Sequence, residues 1–350
     1  MKRNLIGLAL AAVVAVDMLS TSAFALAVFG NNSQKGSLLI FPRIEIGDGV
    51  DTLITITNDS SLPVLLKCFY ATSDPLPTPY TGTAAGARPL KHLEDFSINV
   101  THNQPIAWWA STGKAYSASK KLASIVAPPF GPFPDGQYRT AGEMKCWAIT
   151  DDGSTQKSHN HLYGTASVFK GGAYEYAAWA FQALASAESA TSTPGKLSLN
   201  NVDYDACPNI LLGNFYASGI NKNATQVTLA SCNQDLRQNY TPTITRLTWT
   251  FWNEDETAFT GTHFCADSWF EDSFPATGFT GLTGLGTEIG YFRIETTADT
   301  RICGSDAKTD AYVGVIDQSR GAGTLRGTNL TGRGSVSGII KYDIPPPDGF

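Results

Sequence analysis

The chain has 350 residues, 42% of them hydrophobic, which is ample for two domains with real cores. Its 31 acidic residues outweigh 25 basic ones, for a net charge of −6. With no Lys/Arg cluster, that balance argues against nucleic acid or an anionic membrane as the main partner.

The N-terminus reads as an export signal over residues 1–25. Lys2 and Arg3 form a basic start, Leu5 to Val16 an apolar stretch, and Ala23-Phe24-Ala25 a small-x-small cleavage site, with Ala27 as an alternative cut. Beyond it no apolar run approaches the roughly 18 to 20 residues that a membrane helix needs, so no membrane-spanning segment is expected in the mature chain. All six cysteines (Cys68, Cys146, Cys207, Cys232, Cys265 and Cys303) lie past the signal. An even count in an exported chain points to disulfides and to an extracytoplasmic address, whether periplasmic, secreted or cell-surface.

Strand signals dominate the mature chain. From Gly36 to Ile46 the even positions Leu38, Ile40, Ile44 and Ile46 are apolar, which predicts a strand with one face on a core; Pro42 marks an edge or a bulge. Asp51 to Thr57 continues with Ile54 and Ile56 facing one way and Thr55 and Thr57 the other. Asn58 to Ser61 supplies turn residues and Val64 to Tyr70 returns as a strand, a β-hairpin by residue chemistry. Further strands are predicted at Phe96 to Val100, Met144 to Ile149, Thr245 to Trp252, Tyr291 to Glu295, Tyr312 to Ile316 and Val336 to Tyr342. Tyr174 to Ala187 reads as a strand, with Trp179 and Phe181 on one face, running into a short helix.

Two stretches echo each other. Asp51-Thr52-Leu53 leads through a strand to Asn58 and on to Cys68; Thr245-Arg246-Leu247 leads through a strand to Asn253 and on to Cys265. Six cysteines allow 15 pairings, and the echo favours Cys68 with Cys146 and Cys265 with Cys303, leaving Cys207 with Cys232. The stretch from Thr52 to Cys68 resembles Ig-like secreted β domains. The expected fold is all-β: two disulfide-stabilised Ig-like β-sandwich domains over 26–190 and 191–350, joined through the small, polar Ala187 to Gly195 segment. Asp74 to Pro89 and Pro128 to Pro134 are long Pro-rich loops.

Chemistry is sparser. His159 and His161 are two apart, the spacing that puts both imidazoles on one face of a strand, and His263, His102 or a carboxylate could complete a metal site. The turn residues Asp151 to Ser154 just before them equally suit surface-loop histidines. Trp252, Trp269 and Phe270 run among Glu254, Asp255, Glu256, Asp267, Glu271 and Asp272, an aromatic and acidic mixture that suits sugars; Trp252, Trp269 and Glu254 are the expected ligand-binding residues. Trp108-Trp109 adds a candidate, because adjacent strand residues point to opposite faces. Asp203-Tyr204-Asp205 and Asp151-Asp152-Gly153 offer hard oxygens for calcium without EF-hand spacing. The sequence lacks a dinucleotide fingerprint, a P-loop, HExxH, a GxSxG elbow and Cys-x-x-Cys, so no catalytic residue and no cofactor is expected.

The expected function is a secreted or surface-associated, non-enzymatic structural or adhesive β-protein. Its partners would be further copies of itself, through unmatched edge strands, or a surface glycan. The alternatives are a carbohydrate-binding or carbohydrate-active extracellular protein, and a periplasmic metal-binding protein centred on His159 and His161.

Overall fold

A computed structural model describes residues 29–73, 91–116, 124–133, 136, 139–184, 194–216, 223–237, 243–274, 289–303, 308–320 and 323–344. The stretch 1–25 read as an export signal, the expected Pro-rich loop over 74–89 and residues 187–193 of the expected joining segment lie outside them. The described residues are strands and turns, with no helix.

The first strands are β1 (Leu38–Glu45), β2 (Val50–Asn58), β3 (Val64–Ser73), β4 (Lys91–Val100), β5 (Gln104–Trp109), β6 (Ala141–Ile149), β7 (Leu162–Lys170), β8 (Ala173–Ala177) and β9 (Trp179–Phe181). There follow β10 (Lys196–Leu199), β11 (Ile210–Tyr216), β12 (Asn223–Ser231), β13 (Gln234–Asp235), β14 (Ile244–Asn253), β15 (Ala258–Asp267) and β16 (Trp269–Phe274). The last are β17 (Ile289–Thr297), β18 (Tyr312–Arg320), β19 (Gly323–Asn329), β20 (Thr331–Arg333) and β21 (Gly338–Lys341). They form five small sheets: sheet I (β5-β2-β7-β8), sheet II (β4-β3-β6-β1-β9), sheet III (β16-β12-β18-β19), sheet IV (β15-β14-β17-β11-β20) and sheet V (β10-β21-β13).

This arrangement corrects the expectation of two Ig-like β-sandwich domains. Such domains keep separate cores, and their characteristic disulfide bridges two sheets. Here Cys68 and Cys146 sit directly opposite each other on adjacent strands β3 and β6 of one sheet. Moreover, Leu38, Leu39, Ile40 and Phe41 on β1 are all buried, so sheet II is covered on both faces. Leu39 and Phe41 join Ile54, Ile56, Trp108 and Val168 in a core against sheet I. Leu38 and Ile40 join Trp147, Trp179 and Phe181 in a larger core that also takes in Leu197, Leu229, Trp249, Phe251 and Phe292. The largest core thus draws on both halves of the chain, and the five sheets lie like propeller blades about a shared interior.

The other two disulfides are Cys207–Cys232 and Cys265–Cys303, so all three pairs are those the echo favours. Bridges across sequence separations of 78, 25 and 38 each limit the unfolded chain, by about 2 to 4 kcal/mol in the loop-entropy account. They mark an oxidising, extracytoplasmic compartment. Among the described residues no helix is long and apolar enough to cross a membrane.

Two local expectations also change. β2 and β3 do not form a hairpin: β2 pairs with β5 and β7, whereas β3 pairs with β4 and β6. The turn between them carries the chain from sheet I to sheet II, and buried Asn58 holds that corner. Its amide nitrogen donates to the carbonyls of Leu62 (2.8 Å) and Thr101 (3.1 Å), and its oxygen accepts from the Ser60 amide (3.0 Å). Trp179 and Phe181 are core residues on a strand, and no helix follows among residues 182–184. The Pro42 bulge is present, as a register shift between Phe41 and Ile44.

Sheets I, II and III meet at Arg43, whose side chain is fully buried. Its guanidinium donates to Glu45 (3.1 Å through Nε), Thr228 (2.7 Å) and Gln226 (2.8 Å), with Glu271 at 3.3 Å and Asp317 at 3.8 Å. Lys170 of sheet I donates to the other oxygen of Glu45 (2.7 Å). Close by, the Tyr174 ring lies where a Cβ on Gly327 would fall, 2.0 Å from the nearest ring carbon, so glycine is required for β8 and β19 to approach. Replacing Arg43 with Met would leave buried carboxylates without their counter-charge. The expected loss is about 3 to 5 kcal/mol, read from urea denaturation; a loss under ~1 kcal/mol would show that the sheets dock without this centre.

Candidate functional site

The outer face of sheet I carries an aromatic cleft. Alternation along β7 buries Leu162, Ala166 and Val168 and turns Tyr163, Ser167 and Phe169 outward. On β5 the same alternation separates the two adjacent tryptophans. Trp108 is fully buried, its indole N–H donating to the Tyr70 hydroxyl (2.8 Å), while Trp109 is half-buried on the outer face. Trp109 packs against Phe169 (centroids 5.3 Å apart) and Tyr116 (6.1 Å). Beside them opens a cleft of about 580 Å³, lined further by Gly47, Gly49, Val50, Asp51, Ser111 and Thr112.

Asp51 forms the polar edge of this cleft. One carboxylate oxygen accepts from the amides of Thr52 (2.8 Å) and Ser111 (3.1 Å), and the other from the Ser111 hydroxyl (2.5 Å). Three donors from two strand ends therefore fix its orientation before any ligand arrives. An apolar ring wall beside a preorganised acceptor can hold an amphipathic molecule that has a C–H face and hydroxyls. Sequence reasoning does not reach Phe169 or Asp51; an aromatic on the polar side of an alternating strand is the signal that points to the first of them.

The sequence-predicted ligand residues do not converge. Trp252 is half-buried on sheet IV, stacked face to face on exposed Tyr291 at 4.5 Å, and Glu254 is exposed in the turn after β14. Trp269 belongs to sheet III, and its indole donates to the Pro42 carbonyl (2.9 Å), tying β16 to the β1 bulge. The carboxyls of its neighbours Glu271 and Asp272 are pushed up by burial, with Arg43 pulling Glu271 back down. A smaller hollow of about 350 Å³ on sheet V is lined by Lys196, Arg237 and Lys341.

The histidines occupy a turn before β7 rather than one face of a strand. His159 is buried, its Nε2 2.9 Å from the Asn58 oxygen. That oxygen already accepts from Ser60, so Nε2 carries the proton and is not open to a metal. His161 is exposed and pairs through Nδ1 with Asp59 (3.0 Å). His102 is in the exposed turn after β4, and the His263 side chain lies outside the described residues. Among the described residues no group of three or more histidine, cysteine, aspartate or glutamate side chains is placed to hold a metal ion.

No known protein family matches this chain, and no curated protein is similar to it in sequence. Among solved structures, a chain of the cryo-EM structure of Broad Bean Stain Virus aligns over 91% of this chain and 96% of that one, at 10% identity. Its TM-score is 0.17, which marks no shared fold.

Burial, reinforced by His161 and Lys157, lowers the His159 pKa from the ordinary 6.5 to about 4. Between those values the unfolded chain binds a proton that the folded chain does not, so this residue's contribution to stability falls as pH drops from 6.5 towards 4. His159→Gln, which keeps a donor for Asn58, is expected to lose that part of the slope when urea midpoints are compared across the window. An unchanged slope would mean that His159 titrates normally in the folded chain.

Proposed function

We propose that the chain is a secreted or surface-associated, non-enzymatic protein with an adhesive role, attaching through a carbohydrate held in the Trp109 cleft. The observation that carries this is the pairing of the Trp109 and Phe169 ring wall with the immobilised Asp51 carboxylate. A pyranose presents an apolar C–H face to stack on an indole and equatorial hydroxyls to donate to a fixed oxygen. Among the described residues lining the cleft, Asp51 is the one carboxylate. Glycoside hydrolysis takes two, one on each side of the scissile bond, which favours binding over turnover. The disulfides and the shared core suit a protein that must keep a rigid binding face outside the cell.

A glycan array with the purified, disulfide-bonded protein tests this directly. Trp109→Ala is expected to weaken the glycan hits by at least about tenfold, the equivalent of ~1.4 kcal/mol, with circular dichroism unchanged. Trp252→Ala is expected to bind like the parent. Absence of binding to any glycan, or a Trp109→Ala protein that binds normally, would remove this function; loss confined to Trp252→Ala would move the site to sheet IV.

A further inference from the structure

Between sheets II and V lies a fully enclosed polar triad that the proposed function does not use. Glu143 and Lys145 alternate with Met144 on β6, so both project to the same side as Trp147 and Ile149, into the core shared by the two halves. Gln234 on β13 meets them there, and the three residues are 0%, 1% and 2% exposed. The Lys145 ammonium donates to Glu143 Oε2 (2.6 Å) and to the amide oxygen of Gln234. The Gln234 amide nitrogen donates to Glu143 Oε1 (2.6 Å). Asp310, also buried, lies within electrostatic reach of Lys145; burial pushes its carboxyl well up, with the Ser231 hydroxyl (2.5 Å), the Ala311 amide (2.5 Å) and Lys145 acting against that.

An amine, a carboxamide and a bridging carboxylate held together away from water are the parts of a transamidation. We propose that Lys145 and Gln234 join in an intramolecular isopeptide bond, with Glu143 as the proton carrier. Lys145 passes one proton to Glu143, which removes two charges from an interior that solvates them poorly. The freed amine lone pair attacks Gln234 Cδ, and the carbonyl π pair moves onto Oε1. Collapse of that tetrahedral centre re-forms the carbonyl and breaks the Cδ–Nε2 bond. The leaving nitrogen takes the second proton of the attacking amine and then the one held by Glu143, and departs as ammonium. Atoms and charge balance without an oxidant or any co-reactant. The hydrogen bond from Lys145 to Gln234 Oε1 holds the amine beside the carboxamide it would attack, in place of what would otherwise be a rare bimolecular encounter. The bond would staple two residues 89 positions apart in sequence, one from each half of the chain.

Intact-mass spectrometry of the purified, natively folded wild-type protein decides the matter. The expected mass, after allowance for three disulfides, is lower by one ammonia, and tryptic digestion after reduction yields a single branched peptide containing Lys145 and Gln234. In Lys145→Arg the ammonia loss is expected to vanish. In Glu143→Gln, with native circular dichroism confirmed first, the cross-linked fraction is expected to fall at least about tenfold, in line with the loss of a general acid–base group. A wild-type mass that retains the ammonia after prolonged incubation overturns the proposal. So does an ammonia loss that peptide mapping places elsewhere, for example at an N-terminal glutamine or an asparagine. Because the wild-type measurement is decisive alone, a variant that fails to fold does not protect the proposal.

Discussion

The guanidinium of Arg43 is the constraint on which the docking of sheets I, II and III rests. A charge in an apolar interior is tolerated when its neighbours complete the electrostatics and the hydrogen bonds. Here those neighbours come from three sheets: Glu45 from sheet II, Thr228, Gln226, Glu271 and Asp317 from sheet III, and Lys170, through Glu45, from sheet I. Burial works to lower the Arg43 pKa, and Tyr174, Glu271, Glu45 and Asp317 outweigh it, so the net shift is upward. The carboxylates divide unequally. Burial works against Glu45, yet Arg43 and Lys170 keep it low, whereas Glu271 and Asp317 are pushed up by burial in spite of Arg43. Sliding any one of the three sheets would strand a charge, so the centre fixes their relative position in a way that apolar packing alone does not.

Two-sided burial of β1 follows from the same junction. One face of the strand packs on sheet I and the other on the shared core, with the Pro42 bulge between them delivering Arg43 sideways into sheet III. The Trp269 indole caps that bulge by donating to the Pro42 carbonyl. A tryptophan that looks like a sugar platform in sequence is thereby committed to holding sheets II and III together.

Strands such as β2 and β14 are legible as strands, because period-two alternation along them directly reflects one wet face and one dry one; β7 alternates in the same way but is not among the strands the sequence analysis expects. The layering is not legible in this way. Leu38-Leu39-Ile40-Phe41 is a continuous apolar run, the mark of a strand buried on both faces, whereas its even positions alone match a sandwich strand with one open face. The turn at Asn58 misled for a related reason: turn chemistry at Asn58 to Ser61 says that the chain bends, and nothing in it says whether the next strand pairs with the last or crosses to another sheet. Half of the cleft could be anticipated, since Trp108 and Trp109 must face opposite ways. Asp51 and Phe169 could not, because what brings them to Trp109 is the β5-β2-β7 register, in which Leu53 is opposite both Trp109 and Ser167.

That register also bears on how the cleft differs from the patch on sheet IV. Trp252 and Tyr291 are directly opposite one another on β14 and β17, so each ring covers a face of the other and little flat aromatic surface is left for a third partner. Trp109 has no aromatic directly opposite it on β2. Its contacts with Phe169 and Tyr116 are tilted and edge-on rather than face to face, and both Trp109 and Phe169 line the hollow beside them. A ligand that fills the hollow gains contact with more than one ring at once and displaces water from surface that the protein cannot cover for itself. The rigidity needed to keep those rings in place comes from beneath: Trp108 is locked to Tyr70 at the back of the same strand, and Tyr70 belongs to β3, whose neighbouring Cys68 is bridged to β6. The strand that carries Trp109 is therefore tied, through one buried hydrogen bond, to the disulfide-bonded middle of sheet II, so the shape of the cleft depends on the same packing that holds sheets I and II together.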